Sequence, residues 1–226
     1  MKISIIIPAI NEEESIGYVL SRIPESFKDD VIVVDGGSRD NTVKIALSLG
    51  ARVITENRRG YGYACYAGVL AAKHELLVFL DADGADDPTF IDHLIKPFDN
   101  PETKMVLGSR LAGEMEKGAM PWHQKFGNQL SAWLIRRLYG FPATDLSPFR
   151  AVKRQALLDL DMQEMTFGWP TEMMTKAFIQ SWQVVEIPVS YHQRYGGKSK
   201  ISGTARGTIL ATYHILRLIL KTRRSA

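Results

Sequence analysis

A single cysteine, Cys65, among 226 residues excludes an intrachain disulfide. No apolar run approaches the roughly 20 residues that cross a bilayer as a helix. The opening MKISIIIPAINEEE carries too short an apolar stretch for a secretory leader, so a cytoplasmic protein is expected. No G-x-G-x-x-G follows the first apolar segment, and there is no internal repeat or low-complexity tract. The five histidines show no metal-ligand spacing. From Ile187 to the end there is no acidic residue: this piece holds 8 Lys and Arg, whereas the chain before it holds 20 Lys and Arg against 25 Asp and Glu. Such a basic piece suits phosphate groups or an anionic surface. Without an aromatic-interleaved sheet surface beside it, it does not suggest a nucleic-acid binder.

What the chain does have is alternation. KISIIIPA, DVIVVDGG, ARVITE, LLVFL and KMVLGSR read as strands separated by helical patterns. That order predicts an α/β fold with a mostly parallel, Rossmann-like central sheet flanked by helices in one domain. Asn11, with Glu14 three residues on, reads as an N-cap of a helix that stops before Pro24. A second helix is capped near Asp40 or Asn41 and ended by Gly50, a third covers Tyr61 to Lys73, and Asp87-Pro88 fits an N-cap and first helical position. Leu111 to Gln124 reads as a loop over the site. Helices are expected over Lys125 to Tyr139 and Thr171 to Trp182, with a strand at QVVEIPVSY. A basic, glycine-rich connection, HQRYGGKSKISGTARG, leads to a last helix over 208–226. Its apolar stretch, Ile209 to Leu220, is interrupted by Thr212, His214 and Arg217. It is too short to span a bilayer and suits a membrane surface or packing on the domain.

The stretch LLVFLDADGADDP places Asp81, Asp83, Asp86 and Asp87 directly after an apolar strand. Carboxylates this close repel, so they are either solvated or share a cation. In doubly wound sheets ligands bind at the carboxyl ends of the strands, which brings PAINEEE, DGGSRDNT and DADGADDP to one place. A dinucleotide-binding Rossmann site is the first reading to test, and Glu12, Glu13 and Glu14 exclude it: a pyrophosphate there needs bare amides. Asp81 and Asp83, alternate residues at a strand end, can instead hold Mg²⁺ or Mn²⁺ whose remaining positions take phosphate oxygens. Asp87 is expected to cap a helix, and Asp86 to be solvated.

IIIPAINEEESI, VIVVDGGSRDNT, RRGYGYACYAG, VFLDADGADDP and VLGSR, in that order, resemble glycosyltransferase family 2, of GT-A fold. DLSPFRAVKR, FGWPTEM and EIPVSYHQRYGGKSKISG are similar to its dolichol-phosphate mannose synthase and polyprenyl-phosphate glycosyltransferase branch. The resemblance implies an inverting transfer from a GDP- or UDP-sugar with a divalent metal, and a GT-A domain over 1–207. Its nucleotide-sugar half would be 1–110 and its acceptor half 111–207, ahead of the basic amphipathic helix 208–226. It also implies that Pro8, Ala9, Asn11 and Glu12 line the nucleotide pocket and that Asp35 holds base or ribose. Asp81 and Asp83 match the Asp-x-Asp, Arg110 an arginine near the phosphates, and Arg194 and Lys200 a basic loop closing on the substrates.

Two positions depart from the branch. Ala85 stands where a glutamine usually adds a metal ligand, and Ser147-Pro148-Phe149 replaces Ser-Gly-Phe, with Ser147 an acceptor-side residue. The acceptor stays open between two chemistries. A polyprenyl phosphate is already ionised and needs cations, for which Lys125, Arg194, Lys198 and Lys200 are candidates. A hydroxyl needs a base, for which Asp145 and Glu172 are candidates. A sugar nucleotidyltransferase lacks its glycine-rich, arginine-bearing first loop here, and a non-catalytic sugar-nucleotide-binding module is the alternative outside enzymes. Peripheral membrane contact through the last helix and a homodimer are both compatible with the sequence.

Overall fold

The computed structural model of the protein describes residues 1–197 and 205–224. Lys198 and Lys200 lie outside the described residues. Seven strands form one sheet: β1 (Ile3–Ala9), β2 (Val31–Asp35), β3 (Arg52–Thr55), β4 (Leu76–Phe79), β5 (Thr103–Ser109), β6 (Arg150–Lys153) and β7 (Gln183–Pro188), in the spatial order β3-β2-β1-β4-β6-β5-β7. β6 runs antiparallel to both neighbours, and the other pairings are parallel. The helices are α1 (Ile16–Arg22), α2 (Thr42–Ser48), α3 (Tyr61–Ala71), α4 (Ile91–Ile95), α5 (Trp122–Tyr139), α6 (Arg154–Asp159), α7 (Trp169–Ile179) and α8 (Ala205–Arg224).

The inner strands β1, β2 and β4 read as unbroken apolar runs because both faces of the sheet are covered there. Alternate side chains divide between two cores. Ile3, Ile5 and Ile7 with Val33, Val78 and Leu80 pack against α1 and α4; Ile6, Ile32, Val34, Leu77 and Phe79 pack against α3 and α7. Chain order reverses beside β1, whose neighbours are β2 on one side and β4 on the other. The register sets Asp35 beside Ala9 and Phe79 beside Ile6, so the segments leaving these strands emerge together at the switch point where such sheets take ligands.

Four local expectations are corrected. Asn11 is not an N-cap: it takes a left-handed backbone, φ 49°, and its side-chain oxygen accepts from Arg39 N at 2.8 Å, while Ser15 holds the cap position of α1. The turn over 11–15 is shaped by the neighbouring 38–42 segment, with Glu12 N donating to Thr42 Oγ1 at 2.8 Å, rather than by its own capping box. α5 begins at Trp122, earlier than Lys125, and α7 at Trp169, with Pro170 in its first turn. β6 was not expected as a strand. Its four residues carry arginine and lysine at either end, and only insertion between β4 and β5 supplies its partners.

Candidate active site

The acids predicted to converge do so. Asp81 leaves the end of β4, and its carboxylate accepts from the Tyr61 hydroxyl at the start of α3, 3.0 Å away. Burial first, and the neighbouring Asp83 carboxylate second, push Asp81 up to about 7. Asp83 caps its own turn, accepting from Ala85 N at 2.9 Å. Gly84 takes φ 75° there, a left-handed conformation that costs glycine little, and a Cβ at this position would press on Tyr195 and Tyr18.

The positive charge opposite these acids comes from the chain itself. Arg194 donates to Asp83 at 2.6 Å and to both oxygens of Glu12 at 2.8 and 2.9 Å. The segment around it, 191–197, lies as a strap across the ends of β1 and β4. His192 N bonds Ala85 O at 2.8 Å, Tyr195 N bonds Asp83 O at 3.0 Å, and Gly197 N reaches the Glu14 carboxylate at 2.7 Å. The Tyr195 ring stacks on Tyr18, with centroids 4.1 Å apart. A shallow cleft bounded by Asn11, Glu12, Glu13, Glu14, Asp40 and Gly197 remains beside the strap.

The other candidates fall into distinct places. Asp35 is buried, and its carboxylate holds the following turn through Gly37 N and Ser38 N at 3.2 and 3.0 Å. Pro8 and Ala9 form the end of β1, where Ala9 O receives Gly36 N at 2.9 Å. Arg110 does not face the phosphate region as a free cation. It is buried against Asp145, which accepts from Arg110 N, Nε and Nη2 at 2.8, 2.9 and 2.7 Å, and the guanidinium also sits over the Tyr191 ring. Asp145 takes a further bond from Asn128 of α5. Burial alone would raise the Asp145 pKa, but Arg110 and these donors hold it below the usual carboxylate range, which is the opposite of what a base needs.

Glu172 is likewise occupied. It accepts from Gln163 N and Glu164 N at 3.0 and 2.7 Å and pairs with Lys176 at 3.0 Å, so it pins the chain ahead of α7. Ser147 is buried and caps a turn by accepting from Phe149 N at 3.2 Å. Lys125 is exposed on the first turn of α5. Asp87 caps as expected, accepting from Thr89 N at 3.0 Å, and also pairs with Arg22.

Asp86 overturns its expectation. It is 2% exposed rather than solvated, and its Oδ1 has no hydrogen-bond partner. Burial raises its pKa well above the usual range, partly opposed by Arg110. The backbone there pairs with Tyr191 of the strap, and sequence spacing carried no sign of that pairing. Sequence reasoning also passed over Tyr61 and Asn128 as partners of the acids. Tyr61 belongs to RRGYGYACYAG, so its neighbourhood, though not its contact, was visible.

The arrangement provides a cradle of negative charge facing the Arg194 guanidinium. Among the described residues no three acidic, histidine or cysteine side chains converge to hold an ion unaided. Two aspartates at a strand end with an unpartnered carboxylate oxygen close in sequence fit a hard cation that takes most of its ligands from phosphate oxygens.

Residues 4–175 match the family model "Glycosyl transferase family 2". The chain is 38% identical over 219 residues to an uncharacterised glycosyltransferase of Mycobacterium tuberculosis (strain ATCC 25618 / H37Rv), covering 96% of this chain and 97% of that protein. It is 31% identical over 230 residues to the dolichyl-phosphate hexose transferase of Haloferax volcanii, covering 98% and 95%. Among solved structures, glucosyl-3-phosphoglycerate synthase from Mycobacterium tuberculosis, in complex with Mn²⁺, UDP and glucosyl-3-phosphoglycerate, superposes with a TM-score of 0.79 at 21% identity over 98% of this chain and 79% of that one, a likeness of fold. With a family match over most of its length, full-length relatives and the expected mixed sheet, the chain belongs to glycosyltransferase family 2 and is a glycosyltransferase.

Proposed function

We propose that the protein moves a sugar from a GDP- or UDP-sugar to a polyprenyl phosphate, with inversion and with Mg²⁺ or Mn²⁺ at Asp81 and Asp83. The observation that carries the donor side is the Arg194 contact. The acids at the ends of β1 and β4 are already organised around a positive group, as a metal–diphosphate site requires. When bound, the ion would neutralise the charge developing on the leaving diphosphate. Residues 1–110 then form the donor half and 111–207 the acceptor half.

The chain's own side chains divide the remaining work. The Tyr61 hydroxyl orients Asp81, and Ala85 N orients Asp83. Asp35 fixes the turn that, with Pro8, Ala9, Asn11 and Glu12, would seat the nucleoside. Donor entry requires Arg194 to leave Asp83, which frees its guanidinium for phosphate oxygens. Tyr195 on Tyr18 gives the strap a seat to return to and so to exclude water. Arg110, neutralised by Asp145, acts as a fixed post between the two halves.

A phosphate acceptor needs no base, and both carboxylates considered for that role are committed to internal pairs. The similarity to the dolichyl-phosphate hexose transferase of Haloferax volcanii supports the same acceptor. Lys125, Lys198 and Lys200 are the candidate cations for the lipid phosphate. A hydroxyl acceptor is favoured by one observation, the unpartnered Asp86 Oδ1, which would then be the base. The two are separated by incubating the protein, Mn²⁺ and radiolabelled UDP- or GDP-sugars with polyprenyl phosphate. Label entering the organic phase is expected; label confined to water-soluble product would overturn the lipid acceptor.

Cation uptake should also depend on pH. Asp81 titrates at about 7 in the metal-free protein, so below that pH a proton must leave before the carboxylate can ligate. Affinity for Mn²⁺ with a nucleoside diphosphate is expected to fall by up to about tenfold per pH unit below 7 and to level off above it. Isothermal titration across pH 5.5 to 8.5 reads this directly, and a flat profile would contradict it.

A further inference from the structure

α5 and α8 form a surface that the transfer chemistry does not use. They lie side by side and run in the same direction, since a Cβ on Gly127 would meet Thr212 while Tyr139, further along α5, bonds Ile219 O further along α8. Their inner faces are filled: Ser131, Ala132, Ile135 and Ile219 are buried. Their outer faces lie on the side of the pair turned away from the core. Along α5 this face repeats with helical spacing at Trp122, Phe126, Gln129, Trp133 and Arg136. Along α8 it passes through Leu210, Tyr213, Arg217, Leu220 and Lys221.

Because the helices are parallel, their like ends coincide. One end of the pair is mainly aromatic and aliphatic, with Lys125 as its one described exposed cation: Trp122 is 80% exposed and Tyr213 65%, beside Phe126, Trp133, Ile209 and Leu210. The other end is basic, with Arg136, Arg137, Arg217 and Lys221 exposed. Neither helix contains an acidic residue. Among the described residues no helix is long and apolar enough to cross a membrane; an aromatic and basic face of this kind suits lying on a bilayer.

We infer that the outer face of the α5–α8 pair docks on an anionic bilayer surface, with the aromatic end among the headgroups and acyl boundary and the basic end against lipid phosphates. Large amphipathic rings favour that depth, and purely positive charge matches that partner. A second copy fits less well, since neither helix offers an acidic residue to pair with the cations of the other face. The placement rests on, and deepens, the polyprenyl-phosphate reading. The apolar end adjoins the site, because Asn128 of α5 holds Asp145, and the segment entering α5 pairs with the strap between Met115 and Tyr191. A lipid acceptor would reach the donor with its tail still in the bilayer.

The test uses the full chain and flotation with vesicles of phosphatidylcholine alone or mixed with phosphatidylglycerol, with no polyprenyl phosphate and no nucleotide. Binding to the anionic vesicles is expected, falling with salt. Trp122→Ala with Phe126→Ala should weaken it by about tenfold or more, and Arg137→Gln with Arg217→Gln by roughly fivefold per charge. Both double variants should keep their melting temperature and nucleotide binding, since the four side chains are exposed. Equal binding to neutral vesicles, no binding to either, affinity unmoved by both double variants, or a dimer that the substitutions dissociate in light scattering would each overturn the inference. Vesicle binding without label transfer to polyprenyl phosphate would instead defeat the acceptor assignment and leave the docking face standing.

Discussion

Asp81→Asn and Asp83→Ala should each lower sugar transfer by at least about 10²-fold and remove the gain in nucleoside diphosphate affinity that Mn²⁺ confers. The two aspartates lie in the segment that leaves β4 at the switch point of the sheet, and each is held by a donor of its own, the Tyr61 hydroxyl or Ala85 N. Losing either carboxylate takes away half of the protein's grip on the ion. With no third acidic, histidine or cysteine ligand converging among the described residues, nothing in the first coordination sphere compensates. The decisive measurement is titration of UDP and GDP with and without Mn²⁺. Asp83→Ala also releases one of the two acids that hold Arg194, so its metal-free nucleotide affinity should change little or rise slightly as the strap loosens. Mn²⁺-supported affinity equal to that of the unaltered protein in both variants would defeat the metal assignment, whatever the turnover.

The largest effect on stability is expected at Asp145. Asp145→Ala leaves the buried Arg110 guanidinium without its carboxylate and Asn128 without its acceptor, and breaking such a pair costs about 3–5 kcal/mol. Chemical denaturation of the variant should show that loss, and a change below about 1 kcal/mol would contradict the role assigned to the pair. The double variant Arg110→Met with Asp145→Leu should recover part of it, because the apolar pair leaves no buried charge, while Asn128 and the backbone amide at position 110 still lack their acceptor. The pH dependence has a fixed sign. The folded Asp145 pKa is depressed, so its contribution is complete above the unfolded carboxylate value near about 4 and is lost as the pH falls through the folded value. A recovered but inactive double variant would place Arg110 in the chemistry as well as in the scaffold.

Six of the seven strands were legible because a short β-branched or apolar run bounded by turn residues is a local property of the sequence. Ile3 to Ala9 and Val31 to Asp35 needed no knowledge of their neighbours. The Asp87-Pro88 cap was legible for the same reason: its hydrogen bond closes within two residues. β6 was not, since Arg150 to Lys153 has neither length nor periodicity and becomes a strand through partners more than forty residues away in β5 and more than seventy away in β4. Asn11 looked like a helix cap because the residues after it fit one. The backbone there is set by Ser38 and Arg39, which no local rule brings near.

The candidate site shows the same division. That acids gather at strand ends followed from DADGADDP and PAINEEE, and the ordered motifs pointed to the family. Which acids are free did not follow. Asp145 and Glu172 looked like bases when their neighbours were unknown; Arg110 lies 35 positions from Asp145 along the chain, and Glu172 meets the amides of Gln163 and Glu164 only because the chain before α7 folds back over it. Asp86 reads as solvated from its neighbours in sequence and is buried where the distant strap pairs with the chain at that position.

By itself, then, the sequence determined the strands, their mostly parallel arrangement, the edge at which they present carboxylates and the family those carboxylates belong to, because hydrophobic period, turn residues and motif order are written in consecutive positions. Only the tertiary structure decided that Arg194 bridges Glu12 and Asp83 across 182 residues of chain, that Arg110 is spent on Asp145, and that α5 and α8 lay their aromatic ends together. Ion pairs and shared faces depend on which distant segments the sheet order brings within a few ångströms, and no local pattern encodes that distance.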